Sequence, residues 1–345
     1  MALAEFELIR QYFNIDALTF ERTGIVLGPG DDCALLDIPK GYNLALSVDT
    51  LNEGVHFPAG ADAYQLAQRC LRVNLSDLAA MGAEPLGFTL ALSLPDVSES
   101  WLQGFSQGLS ACAGNYRCSL LGGDTTRGPL AITIQVHGLV AAGQALRRSG
   151  ASVGDAIYVT GTLGNAALAL PYLTHQSGYE LADLSAEQRG FLQVAFYQPE
   201  PRVDAGLALT GLASAAIDVS DGLASDLGHI LQASGSGSGS DSDMAALGAI
   251  IDTAQIPLAA EFAGLAAAHD ALPLALGGGD DYELCVTVPP QHEAQAQAAM
   301  KALNLRFSRI GEVIAGSGIM LRDANGESQP MRLSGYRHFG GGDNE

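Results

Sequence analysis

The chain has 345 residues, enough for two domains that each bury a core. Hydrophobic residues make up 48% of it and charged residues 16%, a globular composition and not a disordered one. The formal net charge of -21 argues against a nucleic-acid groove, which needs clustered Lys and Arg to displace counterions.

The N-terminal stretch M-A-L-A-E-F-E-L-I-R carries early acids and no basic start, so it does not read as a secretory signal. No apolar run approaches the roughly 20 residues of a membrane helix. The expectation is a soluble, cytoplasmic protein that binds neither membrane nor nucleic acid. Residues 44–48 (L-A-L-S-V) read as a strand, followed by a helical stripe at Leu66, Cys70, Val73 and Met81. Residues 86–94 read as a second strand, Leu102, Phe105, Leu109, Cys112 and Tyr116 as a second helical stripe, and residues 130–140 as a third strand.

At R-S-G-A-S-V-G-D, residues 148–155, the pattern restarts with a strand (A-I-Y-V-T), a glycine turn and an apolar helix from Asn165. We place the domain boundary there, giving domains 1–148 and 149–345 of α/β or α+β class. V-T-G-T-L-G-N-A-A, residues 159–167, could seat an anion at a helix N-terminus, or could simply pack strand on helix. S-G-S-G-S-G-S-D-S-D, residues 234–243, reads as a flexible surface loop. Cys33, Cys70, Cys112, Cys118 and Cys285 form no C-x-x-C pair and read as reduced, buried thiols.

Six short stretches place aspartate beside glycine or another small residue, mostly at strand ends. They hold Asp31 and Asp32, Asp49, Asp77, Asp124, Asp218 and Asp221, and Asp280 and Asp281. One such stretch alone reads as turn or helix-cap chemistry. Together they read differently, because Asp77 lies on an apolar helical stripe and few cations stand nearby. A buried carboxylate needs a partner, and clustered carboxylates without basic neighbours imply a bound cation. Asp, Ser and Thr oxygens select a hard ion, Mg²⁺ before zinc. Asp218-Val-Ser-Asp-Gly lacks the ligand order of an EF-hand, with His229 at its twelfth position.

Mg²⁺ usually bridges carboxylates to substrate phosphates. Lysine occurs only at Lys40 and Lys301, and no G-x-x-x-x-G-K-[ST] loop exists. Phosphate would therefore be met by metal ions, by backbone N–H groups and by Arg127 or Arg148, which sit in glycine-flanked turns.

Taken in order, these stretches resemble the thiamine-monophosphate kinase family, in the superfamily of aminoimidazole ribonucleotide synthetase. The resemblance is carried by G-D-D-C-A-L-L at 30–36, D-T-L at 49–51 and V-N-L-S-D-L-A-A-M-G-A at 73–83. It continues through G-G-D-T-T-R-G at 122–128, R-S-G at 148–150, I-D-V-S-D-G-L at 217–223 and D-Y-E-L at 281–284. It implies a dimer-forming N-terminal domain, a C-terminal α/β domain, ATP between them, and phosphorylation of thiamine monophosphate to thiamine diphosphate.

By position it implies several Mg²⁺ ions on Asp32, Ser47, Asp49, Asp77, Asp124, Asp218 and Asp221. ATP contacts fall on Gly123, Asp124, Arg148 and Ser220, and substrate contacts on His56, Asp280 and Tyr336, with no residue acting as general base. Val48 stands where relatives often carry a hydroxyl residue, and Asp280 where glutamate is usual. The alternatives are another ATP-using enzyme of the superfamily, such as a purine-pathway synthetase, or a non-catalytic divalent-cation-binding protein.

Overall fold

The computed structural model describes residues 5–235, 246–265 and 271–331. The chain forms two compact units, one of Met1–Ala145 with Tyr197–Leu207 and one of Leu146–Phe196 with Ala208–Glu345.

In the first unit β1 (Tyr42–Asn52), α1 (Ala63–Ala80), β2 (Glu84–Leu94), α2 (Glu99–Tyr116), β3 (Ser119–Arg127) and β4 (Ala131–Ala141) follow one another. The sheet order is β1-β4-β2-β3, antiparallel except for the β2–β3 pair. That parallel pair needs a crossover, which α2 provides. Alternation sorts β4 cleanly. Ile132, Ile134 and Val136 are buried, while Thr133, Gln135 and His137 between them point to the opposite, open face. On edge strand β1 that face shows Leu44, Leu46 and Val48 exposed. Ahead of the sheet, Ile25–Leu27 pairs with Leu35–Leu36, and the connection between them carries Asp31, Asp32 and Cys33.

α1 begins at Asp62, whose carboxylate accepts from the Gln65 N–H at 3.0 Å. It is buried on nearly every side, but Met81, expected on its apolar stripe, is the C-cap residue and is exposed. The helix has ended before the stripe would reach the core again. Residues 197–207 cover part of α1 (a Cβ on Gly206 would lie 2.0 Å from the Ala79 carbonyl, an approach that only glycine allows). Arg72 Nη1 donates to Glu200 Oε2 at 2.8 Å, and the Tyr116 hydroxyl donates to Glu200 Oε1 at 2.6 Å.

The second unit contains β5 (Ala156–Thr160), α3 (Asn165–Leu173), β6 (Ala215–Asp218), α4 (Leu223–Gly235), β7 (Leu247–Asp252) and β8 (Leu284–Val288). It also contains α5 (Glu293–Ala302), β9 (Phe307–Ala315), β10 (Gly318–Arg322) and β11 (Ser328–Pro330). Its sheet runs β11-β10-β7-β9-β5-β8-β6, with only β10–β7 parallel. β5, β6 and β8 are buried at every residue, and Ile157, Ile217, Leu227, Ile230 and Val313 share one core with them. Both units are therefore mixed sheets packed with helices, the two-domain α/β (α+β) class expected.

Cys70, Cys112, Cys118 and Cys285 are buried, and burial lifts the Cys70 and Cys112 thiols to about 12. Cys33 departs from that expectation and is exposed. So does the start of the Ser/Gly stretch. Ser234 is buried at the end of α4, where its Oγ accepts from the Gly150 and Ala151 N–H groups at 3.1 Å each. Residues 236–243 lie outside the described residues. No described helix is long and apolar enough to cross a membrane.

Candidate active site

On β1, Ser47 and Asp49 alternate with exposed Leu46 and Val48 and so face α1. Ser47 Oγ donates to Asp77 Oδ2 at 2.5 Å, joining the edge strand to the helix. The Asp49 N–H donates to Asn74 Oδ1 at 3.0 Å, and Asn74 Nδ2 is tied back to the Cys70 carbonyl at 2.8 Å. One turn beyond β1, His56 Nδ1 accepts from the Asn52 N–H at 3.0 Å. Asn74 is a buried polar residue with no distinct signal in the sequence, where it reads as one more position of the helix.

Asp124 lies on the other face. The sheet register aligns Asp49 with Ile134, Leu90 and Gly123, and aligns Thr50 with Thr133, Ala91 and Asp124. Successive rows point to opposite sides. Asp124 therefore borders a cavity of about 810 Å³ at the free edge of β3, which Asp31, Asp32, Gly122, Gly123 and His137 also line. The five first-unit positions expected to hold metal fall in two places, Ser47, Asp49 and Asp77 against α1 and Asp32 with Asp124 around the cavity.

In the second unit Asp218 ends β6 and is buried. The turn after it is stitched to residues 279–283. The Asp280 and Tyr282 N–H groups donate to the Ser220 and Val219 carbonyls at 2.8 Å each, and the Val219 N–H donates to the Glu283 carbonyl at 2.7 Å. Asp280 (φ +69°) and Tyr282 (φ +52°) both take the left-handed conformation that L-residues rarely adopt. This stitching sets Asp280 beside Ser220 and Asp221, positions about 60 residues apart in sequence.

Two further carboxylates hold these turns. Asp226 Oδ2 accepts from the Ser220 and Asp221 N–H groups at 3.1 Å each. Burial, with Asp221 adding repulsion, pushes its pKa up to about 7. Asp281 accepts from the N–H groups of Gly164 at 2.6 Å, Asn165 at 3.0 Å and Ala166 at 3.4 Å. Burial pushes Asp281 up to about 8. The helix N-terminus offered as an anion seat is thus filled by the protein's own Asp281. The sequence signal for Asp226 is its spacing after D-V-S-D-G, in the first turn of α4. Arg148 is exposed, and Tyr336 lies outside the described residues.

The expected donors are all oxygens, which suits a hard divalent cation. Among the described residues no group of three or more His, Cys, Asp or Glu side chains is placed to hold a metal ion. Paired donors such as Ser47 with Asp77 fit an ion completed by water and substrate phosphate better than a closed protein cage.

Residues 30–140 match AIR synthase related protein, N-terminal domain, and residues 152–323 match AIR synthase related protein, C-terminal domain. Thiamine-monophosphate kinase of Escherichia coli (strain K12) is 45% identical over 339 residues, spanning 98% of this chain and 99% of the relative. The chain belongs to the thiamine-monophosphate kinase family. Its fold is shared by the crystal structure of the thiamine-monophosphate kinase from Stenotrophomonas maltophilia K279a, with a TM-score of 0.82, 43% identity, and 95% and 98% of the two chains covered. AaThiL complexed with AMPPCP and TMP aligns with a TM-score of 0.74 at 27% identity, covering 98% of this chain and 99% of that one. The family resemblance read from the acidic stretches is borne out along nearly the whole chain.

Proposed function

We propose that this member of the thiamine-monophosphate kinase family transfers the γ-phosphoryl group of ATP to thiamine monophosphate, yielding thiamine diphosphate and ADP. The observation that carries this reading is the 45% identity, end to end, with a relative of that name. A more distant family structure with AMPPCP and TMP bound supports both substrates.

The acceptor is a phosphate monoester with a second pKa near 6, largely ionised at neutral pH, so no residue is needed as general base. The barrier is the approach of two polyanions. Asp32, Ser47, Asp49, Asp77 and Asp124 would hold Mg²⁺ in the first unit, and Asp218 and Asp221 would hold it in the second. The ion, when bound, supplies the positive charge that screens the phosphates for in-line transfer. Gly123 and Asp124 meet the nucleotide in this reading. Gly123 has to be glycine, because a Cβ there would lie 1.9 Å from the Leu90 carbonyl. Asp226 fixes the backbone of Ser220 and Asp221, so that Ser220 meets ATP and Asp221 meets metal, with Arg148 as a cation for phosphate. His56, Asp280 and Tyr336 take thiamine monophosphate.

The same reading makes the protein a cytoplasmic homodimer. Support for the dimer is the exposed row Leu44, Leu46 and Val48 on an unpaired sheet edge, an apolar face that a second copy would cover.

Incubation of the purified chain with ATP, MgCl₂ and thiamine monophosphate should produce thiamine diphosphate and ADP in equal amounts. ATP consumed without thiamine diphosphate, or ATP bound without turnover, would overturn the assignment.

A further inference from the structure

Three consecutive side chains of the second unit divide between core and surface. Asp281 is buried and turned to the start of α3, where it accepts three N–H groups. Asp280 and Tyr282, on either side of it, are half-buried and meet each other. The Tyr282 hydroxyl donates to Asp280 Oδ1 at 3.1 Å. The backbone beneath this contact is left-handed at both residues, with φ of +69° and +52°. Aspartate tolerates that conformation, and tyrosine rarely adopts it. It is pinned by the Asp280 and Tyr282 N–H groups, which donate to the Ser220 and Val219 carbonyls at 2.8 Å each.

A left-handed tyrosine carries strain that glycine or asparagine in the same turn would avoid. Such strain persists only where its surroundings over-determine it, and it gathers at functional sites. Here it has a visible product, a phenol set against a half-buried carboxylate. An ionised carboxylate can accept at both oxygens, so one bond from the phenol orients Asp280 and leaves it capacity to receive a ligand. Thiamine carries a quaternary thiazolium nitrogen, a fixed positive charge, and an amino group on its pyrimidine. An oriented carboxylate complements either group.

We propose that Tyr282 is a positioning residue for the acceptor, its hydroxyl holding the Asp280 carboxylate in the orientation that receives the thiamine moiety of thiamine monophosphate. The inference rests on the kinase reading above and on the place of Asp280 in it. Its effect falls on acceptor binding, because the phosphates and their ions are met by other residues.

The test uses the full chain and compares Tyr282→Phe, Tyr282→Asn, Asp280→Asn and the Asp280→Asn, Tyr282→Phe double variant with wild type. Read-outs are kcat, KM for thiamine monophosphate and KM for ATP. Tyr282→Phe keeps the ring and both backbone bonds. It should raise KM for thiamine monophosphate about fivefold, with kcat and KM for ATP within about twofold of wild type. Asp280→Asn, at ease with positive φ, should raise the same KM about twentyfold. The double variant should match Asp280→Asn within about twofold, since the hydroxyl then has no charge to orient. Tyr282→Asn also suits positive φ and should raise KM for thiamine monophosphate at least as much as Tyr282→Phe. It carries the test if the phenylalanine variant does not fold.

A wild-type KM for thiamine monophosphate in both Tyr282 variants overturns the proposal. So do effects that multiply in the double variant, which make the two residues independent, and equal rises in both KM values, which mark a structural role. If Asp280→Asn keeps the wild-type KM, the place of Asp280 in the acceptor site falls and this inference falls with it, while the kinase activity stands. Wild-type protein that forms no thiamine diphosphate overturns the kinase reading itself and the inference built on it.

Discussion

Ser47 Oγ lies 2.5 Å from Asp77 Oδ2, a hydrogen bond between an edge strand and a helix 30 positions further along the chain. The serine donates and the carboxylate accepts, so Asp77 is held in one orientation against the sheet. Asp77→Asn would keep the shape and remove the charge. It is expected to lower kcat by about 10² or more, as removal of other electrostatic stabilisers does. Ser47→Ala should cost less and show chiefly as a higher Mg²⁺ requirement. Initial rates measured across a Mg²⁺ titration separate the two, and a wild-type profile for Asp77→Asn removes it from the ligand set.

Asp281 satisfies three N–H groups at the start of α3 from within the protein core. Asp281→Ala would leave those donors buried and unpaired, a loss of about 1–3 kcal/mol in unfolding free energy. Denaturant unfolding reads this directly. A midpoint equal to wild type would mean that water replaces the carboxylate without loss.

Asp226 gives stability a pH dependence. Its pKa is about 7 in the folded chain against an ordinary 3.8. Between those values the native state keeps a proton that the unfolded chain has released. Its contribution is therefore complete below about pH 4 and is lost as pH rises through 7. Asp226→Asn, which can still accept from the Ser220 and Asp221 N–H groups, should flatten the decline in stability between pH 4 and 7. Thermal melts in metal-free buffer across that range test it, and an unchanged slope would assign the decline to other groups.

Glu200 anchors residues 197–207 to the first unit through Arg72 and Tyr116. Arg72 is far more buried than Glu200, so Glu200→Ala leaves a buried guanidinium without its carboxylate. The expected result is faster hydrogen exchange across 197–207 and a stability loss of about 1–2 kcal/mol, below that of a fully buried pair because Glu200 is half exposed. Exchange at the wild-type rate would show that backbone packing around Gly206 suffices.

Leu46→Asp or Val48→Asp would place a charge in the apolar row of β1. Either should shift the protein from dimer to monomer in sedimentation velocity while leaving its circular dichroism unchanged. A monomeric wild type would sink the dimer reading instead.

Much of this molecule was legible in residue order. Helical spacing from Leu66 to Val73 marked α1, alternation marked β4, and the run of aspartate–glycine stretches named the family, because each is a local pattern that needs no partner to be recognised. The tertiary structure decided what those patterns touch. Asp49 and Asp124 look equivalent in sequence, yet the sheet register turns them to opposite faces, since side-chain direction reverses at every residue of a strand. V-T-G-T-L-G-N-A-A offers an open anion seat in sequence, but a loop more than 100 residues later fills it with Asp281. G-P-G-D-D and G-G-D-T-T-R-G share a composition but lie far apart in sequence, and the edge of β3 brings them around one cavity. Local pattern sets which groups can bind an ion or a phosphate; long-range pairing sets which of them meet.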